Sequence, residues 1–251
     1  MTVNISSLTP EQKFALFYGV MLGDGCLSYY ETKDSRKIYT LAITGSFRDD
    51  KKFYREVLVP LLKSLGRKSV TIKNREYAGA IEINFPDKNL FGKIKSFGFP
   101  VGKKGVRIFI PEKFYKDNLL KFVVAGFMAT DGSLVLTKNP NKYYPRIEGN
   151  GISEKLIRQI QAYLEEKGMS GSFYLAKRKN LSLAYNVQPQ YRFQFNGKDN
   201  LLLFNEQIGF ANPKHQKKFE DFLSYDRNYD RKIKGVASQE QKFVRLNEFS
   251  G

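Results

Sequence analysis

Two stretches of the chain carry the same phrase: Phe17-Tyr18-Gly19-Val20-Met21-Leu22-Gly23-Asp24-Gly25 and Val124-Ala125-Gly126-Phe127-Met128-Ala129-Thr130-Asp131-Gly132. Gly19 matches Gly126, Asp24 matches Asp131 and Gly25 matches Gly132, each pair 107 residues apart. That is the length of a small domain, so the chain reads as two similar halves in tandem. Each phrase reads as a helix ending at its acid-glycine pair. Gly19 and Gly23 are four apart and share one helix face; Ala125 and Ala129 do the same, with Gly126 and Thr130 beside them. Small residues at that spacing let two backbones approach closely. The two helices are therefore expected to pack together through Gly19, Gly23, Ala125, Gly126 and Ala129, with their C-terminal ends side by side. A helix C-terminus carries partial negative charge, and two carboxylates brought together repel. Asp24 and Asp131 in that position call for a compensating cation. Mg²⁺ suits a site of a few carboxylates, waters and phosphate oxygens.

Outward from the first phrase, Thr9 reads as an N-cap, with Pro10 at the first helical position and Gln12 completing a capping box. Alternation over 28–46, interrupted by a polar tip at 31–37, predicts two strands. An amphipathic helix follows over 49–65 and stops at Gly66. A second strand pair is predicted over 70–73 and 80–85, then a short helix over 89–97 closed by Gly98 and Pro100. The second half repeats the order. Asp117 caps a helix over 119–129, strands cover 133–137 and 144–148, and Ser153 caps a helix over 154–167. Strands over 172–178 and 190–196 and a helix over 199–207 complete it. Ile83-Asn84-Phe85 echoes Phe193-Gln194-Phe195, and Phe97-Gly98-Phe99 echoes Ile208-Gly209-Phe210. The halves are placed at 10–110 and 117–225, with a charged tail over 226–251.

The 251 residues suffice for two small cores. Lys and Arg total 42 against 25 Asp and Glu, a net charge of +17, which suits a polyanion. The single cysteine, Cys26, excludes an intramolecular disulfide. Residues 1–10 lack a basic, then apolar, leader pattern, and no stretch approaches the ~20 apolar residues of a membrane span. The expectation is a soluble intracellular protein, cytoplasmic or organellar. His215 has no second His or Cys nearby, so zinc is not expected there; it reads as a surface or phosphate-contact residue.

The doubled phrase, at domain spacing, resembles the motifs of the LAGLIDADG homing endonucleases in their single-chain, two-motif form, over roughly residues 10–225. The resemblance implies an α+β fold of two αββαββα halves, each laying a saddle-shaped antiparallel sheet on double-stranded DNA. It implies that Asp24 and Asp131, with Gly23 and Thr130 just before them, bind divalent metal, and that each half cuts one strand by phosphodiester hydrolysis. Mg²⁺ is the expected ion, with Mn²⁺ or Ca²⁺ able to take the same places. In such proteins a lysine beyond the second strand pair stands near the scissile phosphate. Anchoring on Pro100 and Pro213 pairs Lys104 with Lys217, with the neighbours Lys103 and Lys218 left open. Relatives also carry a polar water-positioning residue at the end of the strand after the motif. Alignment puts Gly45 and Gly149 there, and Thr44, Ser46, Glu148 or Asn150 are the available substitutes. The implied state is a monomer with pseudo-twofold symmetry.

Strand alternation nominates the DNA-facing residues: Tyr30, Arg36, Lys37, Tyr39, Lys73, Arg75 and Tyr77 in the first half. In the second they are Lys138, Lys142, Tyr144, Arg146, Lys177, Arg178, Lys179, Gln190, Arg192 and Gln194. Arg and Lys read guanine, and Asn and Gln read adenine, in the major groove. The alternative is a non-cleaving binder on the same scaffold, acting on RNA as a maturase or on DNA as a transcriptional regulator. An intein is disfavoured, because no splicing segment flanks the repeat.

Overall fold

A computed structural model describes residues 3–116, 118–139, 142–176 and 189–226. The first helix, α1 (Pro10–Gly23), starts at the capping box the sequence predicts. Thr9 Oγ1 accepts from the Gln12 amide at 3.3 Å, and Gln12 Oε1 accepts from the Thr9 amide at 3.0 Å. Strands β1 (Gly25–Glu31) and β2 (Lys37–Ser46) form a hairpin. The predicted helix over 49–65 is realised as α2 (Lys51–Phe53), a π turn (Tyr54–Leu58) and α3 (Val59–Ser64) in succession. Pro60 has no N–H to give the residue 56 carbonyl, and the ladder widens just before it. Then come β3 (Ile72–Arg75), β4 (Ala80–Pro86) and α4 (Lys88–Ser96), the last capped by Asp87. The sheet order is β1-β2-β4-β3, antiparallel throughout.

The second half repeats this plan with α5 (Leu120–Met128), β5 (Gly132–Asn139), β6 (Lys142–Gly151), α6 (Glu154–Glu166), β7 (Ser172–Ala176), β8 (Gln190–Asn196) and α7 (Lys198–Gln207). Its sheet order, β5-β6-β8-β7, mirrors the first. Ser153 caps α6, as expected, whereas Asp117, the predicted cap of α5, lies outside the described residues. So does the tail beyond residue 226. A further helix, α8 (213–226), follows α7; the sequence reading had not placed it. No described helix is long and apolar enough to cross a membrane.

Each sheet buries one face. Leu27, Leu41, Ile43, Ile81, Ile83 and Phe85 line the helix side of the first, and Leu134, Ile147, Phe193 and Phe195 that of the second. Between the halves α1 packs on α5, nearly backbone to backbone. A Cβ on Gly19 would stand 2.0 Å from Val123 O, one on Gly126 2.1 Å from Leu16 O, and one on Gly23 1.9 Å from Thr130 Oγ1. The predicted interface is corrected on one side. The α5 residues in contact are Val123, Gly126, Phe127 and Thr130; Ala125 and Ala129, one position earlier, are turned about 100° away and are buried against other parts of the core.

Candidate functional site

The helix packing brings the two acid-glycine pairs to one place. A Cβ on Gly25 would meet Met21 Cα at 2.4 Å, and one on Gly132 would meet Met128 Cα at 2.5 Å. Each strand thus leaves its helix by folding back across the last turn, and only glycine permits it. Asp24 and Asp131 are left at the ends of α1 and α5, half-buried. Burial pushes the Asp24 carboxyl up to about 7; Asp131 and Asp50 add to the rise, and Lys104 and Lys214 oppose it. Burial also raises Asp131, against Lys104.

Lys104 closes the end of α1. Its ammonium donates to the carbonyls of Met21 (3.4 Å), Leu22 (3.1 Å) and Gly23, the favoured place for a cation at a helix C-terminus. Burial lowers its pKa, and Asp131 and Asp24 push it back up. The Gly23 carbonyl, an expected metal ligand, is therefore occupied by Lys104 here. Thr130 turns its hydroxyl back onto its own helix, donating to Phe127 O at 2.9 Å.

Lys217 is placed elsewhere. On α8 it pairs with Asp221 at 2.8 Å, both side chains exposed, along a 790 Å³ cleft shared with Asn4, Lys52 and Glu56 that contains neither acid. The second-half lysine whose charge reaches Asp24 is Lys214. It donates to Asp50 at 2.8 Å, while Lys218 donates to Leu134 O. Lys103 lies near Arg107, whose guanidinium donates to its carbonyl. His215 is buried against Phe210 rather than exposed. Burial, then Lys214 and Lys218, pushes its pKa down to about 3, so it is neutral.

Register corrects the glycine alignment. Gly25 pairs with Ile43 and Gly132 with Gly149, so Gly149 corresponds to Ile43, and Gly151 to Gly45. Gly149 faces the core, where a Cβ would strike the Phe193 ring at 2.5 Å. Near Gly151 the structure leaves a cleft of about 260 Å³, lined by Gly23, Lys104, Asp131, Asn150 and Gln190 among others. Near Gly45 the corresponding space is filled by Asp50 and Tyr54, neither of which the sequence reading had nominated.

The open sheet faces carry eight of the seventeen nominated contacts. Cross-strand register puts Tyr30, Lys73 and Arg75 on the first, and Tyr144, Arg146, Gln190, Arg192 and Gln194 on the second. Arg36 and Tyr77 stand exposed at hairpin tips. Tyr39 is a correction: it shares the face of Leu41 and Ile43 and packs on Phe91, with ring centres 5.0 Å apart. Lys37 and Lys138 are exposed strand-end residues on that same helix-side register. Lys177, Arg178, Lys179 and the Lys142 side chain lie outside what is described. Glutamates hold the arginines: Arg75 pairs with Glu82 at 2.6 Å, and Glu148 lies 3.0 Å from Arg146 and 3.9 Å from Arg192.

Comparison with known proteins agrees with this architecture. A LAGLIDADG-like domain model matches residues 119–209. An uncharacterized protein of Methanocaldococcus jannaschii is 26% identical over 181 residues, covering 71% of this chain; the match spans only 63% of that protein's own length. Among solved structures, the homing endonuclease I-DmoI in complex with DNA and Ca aligns at a TM-score of 0.57 and 15% identity, over 79% of this chain and 89% of that one. The LAGLIDADG meganuclease I-AabMI bound to uncleaved DNA aligns at 0.56 and 15%, over 90% of this chain and 96% of that one. Those two structures share the arrangement of paired helices and two sheets. Residues 119–209 thus match a LAGLIDADG-like domain, and the chain as a whole shares the fold of the solved LAGLIDADG structures, with one acid-glycine phrase in each half.

Proposed function

We propose that the protein is a site-specific, divalent-metal-dependent DNA endonuclease. In this reading it makes a double-strand break at a long asymmetric target, acting as a monomer in intron homing. The observation that carries this reading is the pair Asp24 and Asp131, held at adjoining helix ends against burial and helix dipole and flanked by Lys104 and Lys214. Two carboxylates so placed fit a divalent cation, Mg²⁺ before Mn²⁺ or Ca²⁺, because the ion offsets the repulsion and desolvation that raise both groups. Such an ion supplies an activated water and charge stabilisation at phosphorus.

The chain's own residues do the remaining work. The open sheet faces bind and orient the duplex through Lys73, Arg75, Arg146 and Arg192, with Gln190 and Gln194 able to read adenine. Asp24 and Asp131 would hold the metal, and the backbone carbonyls of Gly23 and Thr130 would be available to it if Lys104 turned from the α1 end toward a phosphate. Lys104 and Lys214 then face the negative charge that develops there. The solved complexes of I-DmoI with DNA and Ca, Mn or Mg support this reading by likeness of fold.

The test is a cleavage selection from random and genomic duplexes, with Mg²⁺ and with EDTA. Recovery of one long Mg²⁺-dependent site is expected. Asp24→Asn or Asp131→Asn should abolish double-strand cutting by at least about 10²-fold while leaving binding in EDTA intact. Undiminished cutting by both variants overturns the assignment, and duplexes bound but never cut would mark a non-cleaving binder.

A further inference from the structure

The first-half site contains a charged group that the doubled motif does not predict. Gly45 is the residue of β2 just beyond the one opposite Asp24, and a side chain there would project into the site. The space is already taken: a Cβ on Gly45 would stand 3.0 Å from Asp50 Oδ2 and 3.2 Å from Tyr54 Oη. Asp50 occupies the N-cap of α2, yet its carboxylate makes no cap hydrogen bond. An aspartate there ordinarily caps its own helix. Instead Oδ2 accepts from the Ser46 amide at 2.9 Å, and Oδ1 accepts from Lys214 Nζ at 2.8 Å and Asn212 Nδ2 at 3.2 Å. Asn212 also donates to Ala129 O at the end of α5, at 2.8 Å. The carboxylate is buried and binds groups more than 160 residues away, from the other half. Tyr54, where the π turn begins, keeps its buried hydroxyl without a partner among the described residues.

Among the described residues the second half has no such group. Ser153 takes the place of Asp50 and Ile157 that of Tyr54. Ser153 Oγ donates to Ile108 O at 2.6 Å, and Ile157 Cδ1 would lie 3.2 Å from a Cβ on Gly151. The arrangement is one-sided, and it links Asp24's neighbourhood to a lysine supplied by the opposite half.

Resting on the endonuclease reading, we propose that Asp50 is a positioning residue. It enters the slot Gly45 leaves open and holds Lys214 beside Asp24, in place of the polar side chain that position 45 lacks. Lys214 is the group that meets the scissile phosphate; Asp50 acts through it. A displacement of about 1 Å in such a group costs on the order of 10²-fold in rate.

The experiment uses the full chain and the duplex recovered by selection, labelled at either 5′ end, so that nicking of each strand is timed separately. Asp50→Asn keeps the shape and the acceptor for the Ser46 amide but removes the charge. It is expected to slow one strand about 10- to 100-fold, change the other by less than about threefold, and leave affinity in EDTA within about twofold. Lys214→Met, on the half-exposed start of α8, should reproduce the same strand bias. The double variant should be no slower than Lys214→Met alone, because residues acting as one unit are not additive. Additive losses overturn the inference, as does equal slowing of both strands or a parallel loss of metal-free binding. If the unaltered chain cuts nothing while binding DNA, the endonuclease reading itself falls, and this inference falls with it.

Discussion

Gly19 and Gly126 set the distance between the two helices, and therefore between the two acids. A methyl at either position would sit about 2 Å from a carbonyl oxygen of the facing helix, deep inside van der Waals contact. No flexible side chain can yield there, so the helices must separate. Gly19→Ala is expected to cost about 3 kcal/mol and to lower the thermal midpoint by roughly 6–12 °C; an unchanged melt would remove the close packing from the account. Asp24 works in the opposite direction. Its folded pKa, about 7, exceeds the ordinary 3.8, so the stability tied to it is whole below about pH 4 and lost as pH rises through 7. Asp131 and Asp50 deepen that loss, and Lys104 and Lys214 moderate it. Asp24→Asn should therefore stabilise the protein in EDTA by on the order of 3 kcal/mol at pH 8, with the gain vanishing near pH 4. His215 has the reverse sign: held near 3 against an ordinary 6.5, it gives stability above pH 6.5 that is lost as pH falls. Melts of the Asp24 variant and the unaltered chain across pH 4–8 share the His215 contribution, so their difference isolates Asp24.

At the scale of elements, the glutamates on the open sheet faces restrain the arginines that would meet DNA. Glu148 faces both Arg146 and Arg192. Replacing it with Gln removes one negative charge from the open sheet face and frees two cations. Metal-free affinity for duplex DNA is expected to rise about fivefold at low salt, with a steeper salt dependence; a fall would mean that Glu148 itself contacts a base. Strand pairing of this kind was legible from period-two alternation, and the capping box fixed the start of α1 to the residue. The π turn was not read, although Pro60 inside a helical pattern signals it. The helix 213–226 was also legible in principle. Pro213 opens it, and His215, Phe219 and Phe222 recur at intervals of four and three on its buried side. The basic run around Lys217 lies on that helix. There Lys217 shares a stripe with Asp221, while Lys214 and Lys218, four apart, donate to Asp50 and to Leu134 O. Asp50 had no local signal. Its role depends on a missing Cβ at position 45 and on Asn212 and Lys214, which only the packing of the two halves brings near.

The whole molecule is a pair of four-stranded antiparallel sheets that match in topology and differ in side chains. Strands β2 and β6 have ten residues each, a span of roughly 33 Å. On the proposed function, at 3.4 Å per base pair each half would follow about ten pairs, and the molecule should protect on the order of 20. The two faces present different side chains, Tyr30, Lys73 and Arg75 against Arg146, Gln190, Arg192 and Gln194, so on the proposed function the half-sites should differ. A palindrome built from either half-site should bind more weakly than the natural sequence, by about 1–3 kcal/mol for each mismatched pair that a side chain reads. The net charge of +17 and the lysines and arginines along both faces also place many cations near phosphates. With about six neutralised, affinity should drop about 10³-fold between 50 and 200 mM salt. Footprinting in EDTA and a salt titration on the same duplex test both expectations. A 20-pair footprint with a steep slope means that both saddles lie on the duplex. A footprint near ten pairs with half the slope would mean that one saddle binds alone, and that the second acid reaches its strand only after the duplex bends to meet it.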